Sequence, residues 1–359
     1  MEQKHDTLLK KLQYRIRNGI GLSLKGANVT VQGAADLKKE IDRLTAKLSK
    51  EEEEGKLSET QILKLSTLTL EFQNHCGIEP VARKKLSSLV DVTRLKEWSM
   101  EDPFFNEDLR VSSSFKGPTA SERLVALLRQ RIWAFMAIAY YDWHAHGKTL
   151  EAIHILEKCL VLIREIDTPD RVPFGSLARC HYFLAQCYSK ERRFEDSERH
   201  FLMAQENVLK RFQRESRKGK TVEEALNEYF FSVNCIAKVL GTGLSWLCIQ
   251  QGQLTRALHL IRSAETLLEV TGQPGLKLTI RSFAALTEIR LFPPYSDKWK
   301  SAWKEMEFCR DAFQSLNDSR GTRRCLMELT RSMLDAVEFG CNLNYAQQTQ
   351  LKHHAQEIK

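Results

Sequence analysis

Residues 184–204 read LAQCYSKERRFEDSERHFLMA, and the fold turns on how this stretch is understood. Leu184, Ala185 and Tyr188 recur at helical spacing, the polar run Ser189 to Arg193 interrupts them, and Ser197, Phe201 and Ala204 resume the same period. Two short amphipathic helices joined by a tight turn produce this pattern, with small residues where the helices cross and large ones between them.

The pattern occurs twice more. LSWLCIQQGQLTRALHLIRSA, residues 244–264, places Leu244, Ser245, Cys248, Gly252, Ala257, Ile261 and Ala264 at the corresponding positions. Counting from Trp133, Trp143 takes the eleventh slot, Gly147 the fifteenth, Ala152 the twentieth, Leu156 the twenty-fourth and Cys159 the twenty-seventh. The same count from Ala178 and from Lys238 generates the other two registers.

This grammar resembles the tetratricopeptide repeat, and the resemblance covers residues 130–270 well and extends more loosely to 357. It implies an all-α chain: a TPR-like α-solenoid of antiparallel helix pairs, here preceded by an N-terminal helical hairpin. The departures are specific. Register starts lie 45 and then 60 residues apart, against a family period of about 34, and the usual fourth-slot Trp and terminal Pro are missing. Longer helices and an insertion near 212–224 are therefore expected. Two further pairs are expected at 276–292 with 297–316, around Pro293-Pro294, and from about 320 to 357.

Upstream, Leu8, Leu9, Leu12 and Ile16 make a short amphipathic helix. Leu37, Ile41, Leu44 and Leu48 alternate four and three apart, a seam of coiled-coil type. Ser58 to Gln61 reads as a capping box, and Ile62, Leu65, Leu68 and Phe72 continue the pattern, so 34–74 is expected to be a helical hairpin turned at Glu54-Gly55-Lys56. A further helix is read over 80–98. Residues 99–121 carry prolines and serines without a helical period, and divide an N-terminal region, 1–98, from the repeats, 122–359.

Composition agrees with this reading. Hydrophobic residues make up 42%, and only 8 of 359 positions are Pro, as in helical proteins. Nine cysteines without a C-x-x-C pair fit a reducing compartment. The N-terminus lacks the apolar run of a signal peptide, and nowhere do eighteen apolar residues run together, so no membrane role is expected. The cytoplasm is the expected location, with the nucleus as the alternative. A net charge of +8 favours acidic partners only mildly.

The densest chemistry lies in YYDWHAHGKTLEAIHIL, residues 140–156. Asp142, His144, His146 and His154 resemble a ligand set, but successive helical residues diverge by about 100°, so His144 and His146 cannot share a metal on one helix. Asp142 and His146, four apart, are expected to form a surface pair, and Thr149 to cap the next helix. Gly147-Lys148-Thr149 and Gly219-Lys220-Thr221 lack the upstream glycine of a phosphate loop, and Gly241-Thr242-Gly243 lacks a third glycine. The expectation is therefore no catalytic residue, no metal and no cofactor.

What the resemblance implies instead is a binding face on the first helix of each pair. Its slots hold Tyr141, His144, Arg179, Tyr182, Gln186 and Trp246, which suit a protein or peptide segment. Relatives that clamp a chaperone C-terminus carry Lys at the fifth slot and Asn at the ninth. Here Ala137, Tyr182 and Thr242, then Tyr141, Gln186 and Trp246, stand there, which argues against that client.

Two other readings stay open. The basic run Lys210, Arg211, Arg214, Arg217, Lys218 and Lys220 is a candidate surface for an acidic partner or nucleic acid, as in a subunit of a nucleic-acid-associated complex. The chain could also be a regulatory repeat module of a catalytic partner. Self-association through 34–74 is a further expectation. A non-enzymatic scaffold or adaptor binding a protein segment is the leading one.

Overall fold

A computed structural model describes residues 2–14, 31–76, 120–165, 174–216, 221–271, 274–315 and 318–338, with a few isolated positions beyond. The helix expected at 80–98 and nearly all of 99–121 lie outside the described residues. Among those described there are helices and turns and no strand. In order they are α1 (Glu2–Tyr14), α2 (Val31–Glu53), α3 (Glu59–Cys76), α4 (Ala120–His146), α5 (Thr149–Glu165), α6 (Phe174–Lys190), α7 (Phe194–Ser216) and α8 (Val222–Lys238). A π-helical turn (Val239–Leu244) leads into α9 (Ser245–Gln250), followed by α10 (Leu254–Thr271), α11 (Pro274–Leu291), α12 (Asp297–Ser315) and α13 (Ser319–Glu338).

The chain divides into two compact units. The first comprises Met1–Ile16, Glu40–Asn74 and Ile78–Arg214, and the second Arg17–Lys39, His75–Gly77 and Glu215–Lys359. In the first unit, α1 runs antiparallel to the described part of α2: His5 pairs with Glu51 at 3.3 Å and Lys11 with Glu40 at 3.2 Å. Asp6 accepts from Gln61 Nε2 of α3 at 2.9 Å. Ile41, Leu44 and Leu48 of the expected seam are buried, as are Leu9 and Leu12 of α1 and Leu65 and Leu68 of α3. The seam is thus filled from within the chain. The hairpin turns where the sequence places it, with Gly55 at φ +67°, and Gln61 Oε1 accepts from the Ser58 amide at 3.1 Å, which is the return arm of the capping box.

The three registers share one turn. Gly147, Arg192 and Gly252, all at the fifteenth slot, adopt φ of +67°, +58° and +74°. After each, the amide at the twentieth slot (Ala152, Ser197, Ala257) donates to the carbonyl at the sixteenth (Lys148, Arg193, Gln253), starting the second helix. At Arg192 and Gly252 the following amide also reaches back to the first helix, Arg193 to Tyr188 O at 2.9 Å and Gln253 to Cys248 O at 2.8 Å. This is the Schellman ending, which satisfies the last carbonyls of a helix.

Beyond the turn runs one stripe, a small residue, a large one, a small one and a large one, spaced four, three and four. It appears as Ala152, Leu156, Cys159 and Ile163, then Ser197, Phe201, Ala204 and Val208, then Ala257, Ile261, Ala264 and Leu268, each with 3% exposure or less. The small residues let helices approach. Ser197 Oγ donates to Ala185 O at 2.7 Å directly across its crossing. The stripe recurs a fourth time in α12 as Ala302, Met306, Cys309 and Phe313, also buried. Its first members lie 45, 60 and 45 residues apart. Burial of each large member stabilises by about 1.5–3 kcal/mol.

The expected pair around Pro293-Pro294 is thus present as α11 and α12. Of the fifth, α13 is described and the remainder lies outside. Within the first unit α4, α5 and α6 pack in succession and α4 also meets α6; within the second, α10 to α13 do the same and α11 also meets α13. Much of the described length between the second and third registers is helical. Residues 222–250 form one continuous helical rod, and Gly241 and Gly243 lie in its π-helical turn, where Thr242 Oγ1 and Ser245 Oγ bond the carbonyls four residues back. A Cβ on Gly241 would come within 2.8 Å of Ala264 and 2.7 Å of Ile280, so this glycine marks a close crossing. The stretch Glu228–Gln250 is long and apolar enough to cross a membrane by length and composition, and 67% of its most apolar window is buried in the protein. A core helix accounts for that apolarity.

Candidate interaction face along the first helices

In the first unit, α4 and α6 are the first helices of their pairs, and they meet through aromatic rings and one cation. Arg179 lies 5.8 Å from the Trp133 ring centroid and 5.4 Å from that of Phe183. Tyr140 stacks on Phe183 at 4.6 Å. Arg179, Tyr140 and Gln186 keep part of their surface in solvent. Gln186 Nε2 donates to the Tyr182 hydroxyl at 3.1 Å. Tyr182 is itself buried, with its ring edge against Phe201 at 5.6 Å. Tyr141 is also buried, and His146 turns its ring against it at 5.2 Å. His144 belongs to α4; its side chain lies outside the described residues.

The second unit repeats the theme with other residues. Trp246, half-buried, meets Phe283 of α11 edge-on at 5.8 Å. Arg324 of α13 lies 4.8 Å over the Phe283 ring and 5.5 Å from that of Phe313, and donates to Ser282 Oγ at 3.0 Å. Arg290 grips Glu328 in a two-pronged contact at 2.5 and 2.6 Å. Its charge is neutralised within the face. Planar rings beside a guanidinium are the surface a peptide side chain or backbone can lie on. Phe283 and Arg324 fall outside the three registers, which is why the sequence pattern does not pick them out.

The histidine stretch departs from expectation in two details. Asp142 is 5% exposed, so it cannot form a surface pair, and His146 faces Tyr141 instead. Thr149 begins α5, and its hydroxyl donates to Gly147 O at 3.3 Å rather than capping from outside. The tight Gly147 turn brings that carbonyl within reach.

A polar cluster escapes the sequence entirely. His181 and His200, both buried, approach Nδ1 to Nδ1 at 2.9 Å, so one ring donates and the other accepts. Tyr188 donates to Glu157 at 2.7 Å, and Arg193, ion-paired to Asp196 at 2.6 Å, lies 4.4 Å over the Tyr188 ring. Burial first and the Arg199 charge second hold His200 below its ordinary pKa. Burial, then the Glu157 carboxylate, raises that of Tyr188. His181 and His200 occupy the fourth and twenty-third slots of their register, and only the helix crossing brings them together.

Among the described residues six thiols are buried and Cys235 partly so. Burial pushes Cys187 up to about 12 and Cys325 to about 11, and also raises Cys159 and Cys180. Such thiols stay protonated and are poor nucleophiles. Among the described residues no group of three or more His, Cys, Asp or Glu could hold a metal ion. Of the basic run, Lys210 pairs with Glu206 at 2.7 Å, and Arg211 and Arg214 are half-buried. Arg217, Lys218 and Lys220 lie outside the described residues.

No family model matches the chain, and no curated protein matches it. Among solved structures it is similar to BtubC (BKLC) from P. vanneervenii, at 15% identity over 94% of each chain with a TM-score of 0.32. It is also similar to a signal transduction ATPase with numerous domains that carries a tetratricopeptide repeat sensor, from Pyrococcus horikoshii, at 13% identity over all of this chain and 62% of that one, with a TM-score of 0.31.

Proposed function

We propose that the chain is a non-enzymatic scaffold or adaptor with TPR-like helix pairs, each unit of which presents a first-helix face that holds a protein segment. The observation that carries this reading is Trp246. A large ring that packs on the core yet keeps part of its surface in solvent, edge-on to Phe283 with Arg324 over that ring, is the kind of anchor that dominates peptide binding energies. Arg179 and Gln186 form the counterpart in the first unit. Tyr141 and Tyr182, being buried, act by holding that face in shape. The described members of the basic run, Lys210, Arg211 and Arg214, are paired or half-buried, so the first-helix face is the preferred reading.

Panning a random peptide library on the purified full chain tests the reading. Enriched peptides should lose about tenfold or more in affinity with Trp246→Ala and keep it with Leu150→Ala, an exposed residue on a second helix. Failure to enrich any peptide, or binding indifferent to both Trp246→Ala and Arg179→Ala, would remove the proposal.

A further inference from the structure

Besides one histidine, α6 carries two basic residues, Arg179 and Lys190, and no acidic one. They are eleven residues apart, three helical turns and about 16.5 Å along the axis, and so share one side of the helix. That side meets α4 at both ends. Arg179 lies over the Trp133 ring, and Lys190 Nζ stands 3.8 Å from where a Cβ on Gly147 would be, just past the last residue of α4. Between the two cations Tyr140 stacks on Phe183 and lies 5.5 Å from Trp143. Tyr140 and Trp143 both keep part of their surface in solvent, Arg179 does so too, and Lys190 is exposed. The strip thus runs from cation to rings to cation.

The surrounding carboxylates are turned inward or engaged elsewhere. Asp142, the acidic residue of α4 whose side chain is described, is 5% exposed. Glu157 accepts from Tyr188, Asp196 holds Arg193 and Arg199, and Glu151 pairs with Lys148 at 3.4 Å. Glu191 follows Lys190 in the turn beyond α6. A positive strip with an aromatic middle complements a segment of the opposite charge and the same order. In an extended chain, residues i, i+2 and i+4 point the same way and span about 13 Å. The Arg and Lys side chains, long and jointed, cover the remaining distance. A carboxylate can meet a guanidinium by its edge while rings hold the guanidinium plane, and an ammonium takes a carboxylate as a point charge.

We infer that the first unit's face takes an internal acidic segment of a partner protein, an extended acid-x-aromatic-x-acid stretch. Its two carboxylates meet Arg179 and Lys190, and its ring lies on Tyr140. This rests on the reading of the first-helix face as a binding face, and it names the ligand class of one such face. It needs no chain terminus, because the cations stand at the second and thirteenth slots of their register and both are met by side chains.

The probe is a fluorescein-labelled peptide, Gly-Glu-Ala-Phe-Ala-Glu-Gly, blocked at both ends so that it carries no terminal charge. Titrated with the full chain in fluorescence anisotropy, it should bind with a dissociation constant of about 10–100 µM, and more weakly as salt rises. Lys190→Glu, at an exposed helix end, should keep the circular dichroism signal and weaken binding at least tenfold, as should Arg179→Glu. Exchanging one glutamate of the peptide for lysine should weaken binding to the wild type and restore it to Lys190→Glu. Trp246→Ala should leave this binding unchanged. The inference is overturned by a wild type that shows no saturable binding up to about 1 mM, by binding indifferent to Lys190→Glu, or by a charge exchange that restores nothing. Binding that appears only when Glu101, Asp102, Glu107 and Asp108 are changed to their amides also overturns it, because the chain's own acidic stretch then covers the strip. Library peptides that bind through Trp246 while this probe fails would sink only the acidic ligand, whereas failure of both would remove the binding face as well.

Discussion

Arg192 occupies a backbone conformation that an L side chain disfavours, φ +58°, at the slot where the other two registers place glycine. The turn imposes the angle: the Schellman bonds from Arg192 to Ser189 O and from Arg193 to Tyr188 O close only around a left-handed residue. Its side chain is exposed and nothing packs on its loss. Arg192→Gly should therefore stabilise the chain by about 0.5–1 kcal/mol, read as a higher urea midpoint with an unchanged slope, whereas Gly252→Ala should destabilise it by a similar amount. His200 supplies a second prediction, on pH. Its neighbours are His181 from α6, Glu157 from α5, and Arg193, Asp196 and Arg199 beside it, and the net result is a depressed pKa. The folded protein holds the imidazole neutral, while the unfolded chain takes up a proton near the ordinary value of 6.5. The unfolded state thus binds more protons between the folded and unfolded values. Stability from this site is complete above about pH 7 and declines as the pH falls through 6.5. Thermal melts should drop between about pH 7.5 and pH 5.5, and His200→Gln should shrink that drop while lowering the melt at both ends. An unchanged slope in the variant would place the pH dependence elsewhere.

Elements, not residues, carry the repeat. The buried stripe of α5, α7 and α10 is legible in the sequence because each copy follows a turn of the same length, so one count from Trp133, Ala178 or Lys238 finds it. The α12 copy, Ala302, Met306, Cys309 and Phe313, follows a longer turn, 292–296, in which Tyr295 takes φ +63°. The same count slips there, although the stripe itself is intact. The His181–His200 contact and the Arg324–Phe283–Trp246 row were illegible for a different reason: they depend on which helix crosses which, and no local period encodes that. Gly241 lies between these cases. Its small size is visible in the sequence, but only the packing shows that Ala264 and Ile280 leave no room for a Cβ. Gly241→Ala should cost about 1–3 kcal/mol by forcing α10 and α11 apart. Hydrogen exchange should show the loss first in α10 and α11, and protection there equal to wild type would refute the close crossing.

On the scale of the whole molecule, a net charge of +8 on 359 residues invites a nucleic-acid partner, and several described cations are already paired. Arg262 bridges Glu265 and Glu288, Arg281 meets Glu305, Arg290 grips Glu328 and Arg199 holds Asp196. Three of these four guanidinium groups tie one helix to another, so their charge is engaged in holding the array together. Affinity for a phosphate backbone grows with the number of cations that can displace its counterions together, and it weakens steeply with salt. These four paired guanidinium groups provide few such contacts. Fluorescently labelled duplex and single-stranded DNA should therefore show no binding by the full chain at about 150 mM salt. At about 20 mM salt any binding should be weak and of shallow salt dependence, equivalent to about one or two phosphate contacts. A steep salt slope, abolished by Arg217→Gln with Lys218→Gln, would instead return the basic run 210–220 to the centre of the function and displace the peptide-binding face.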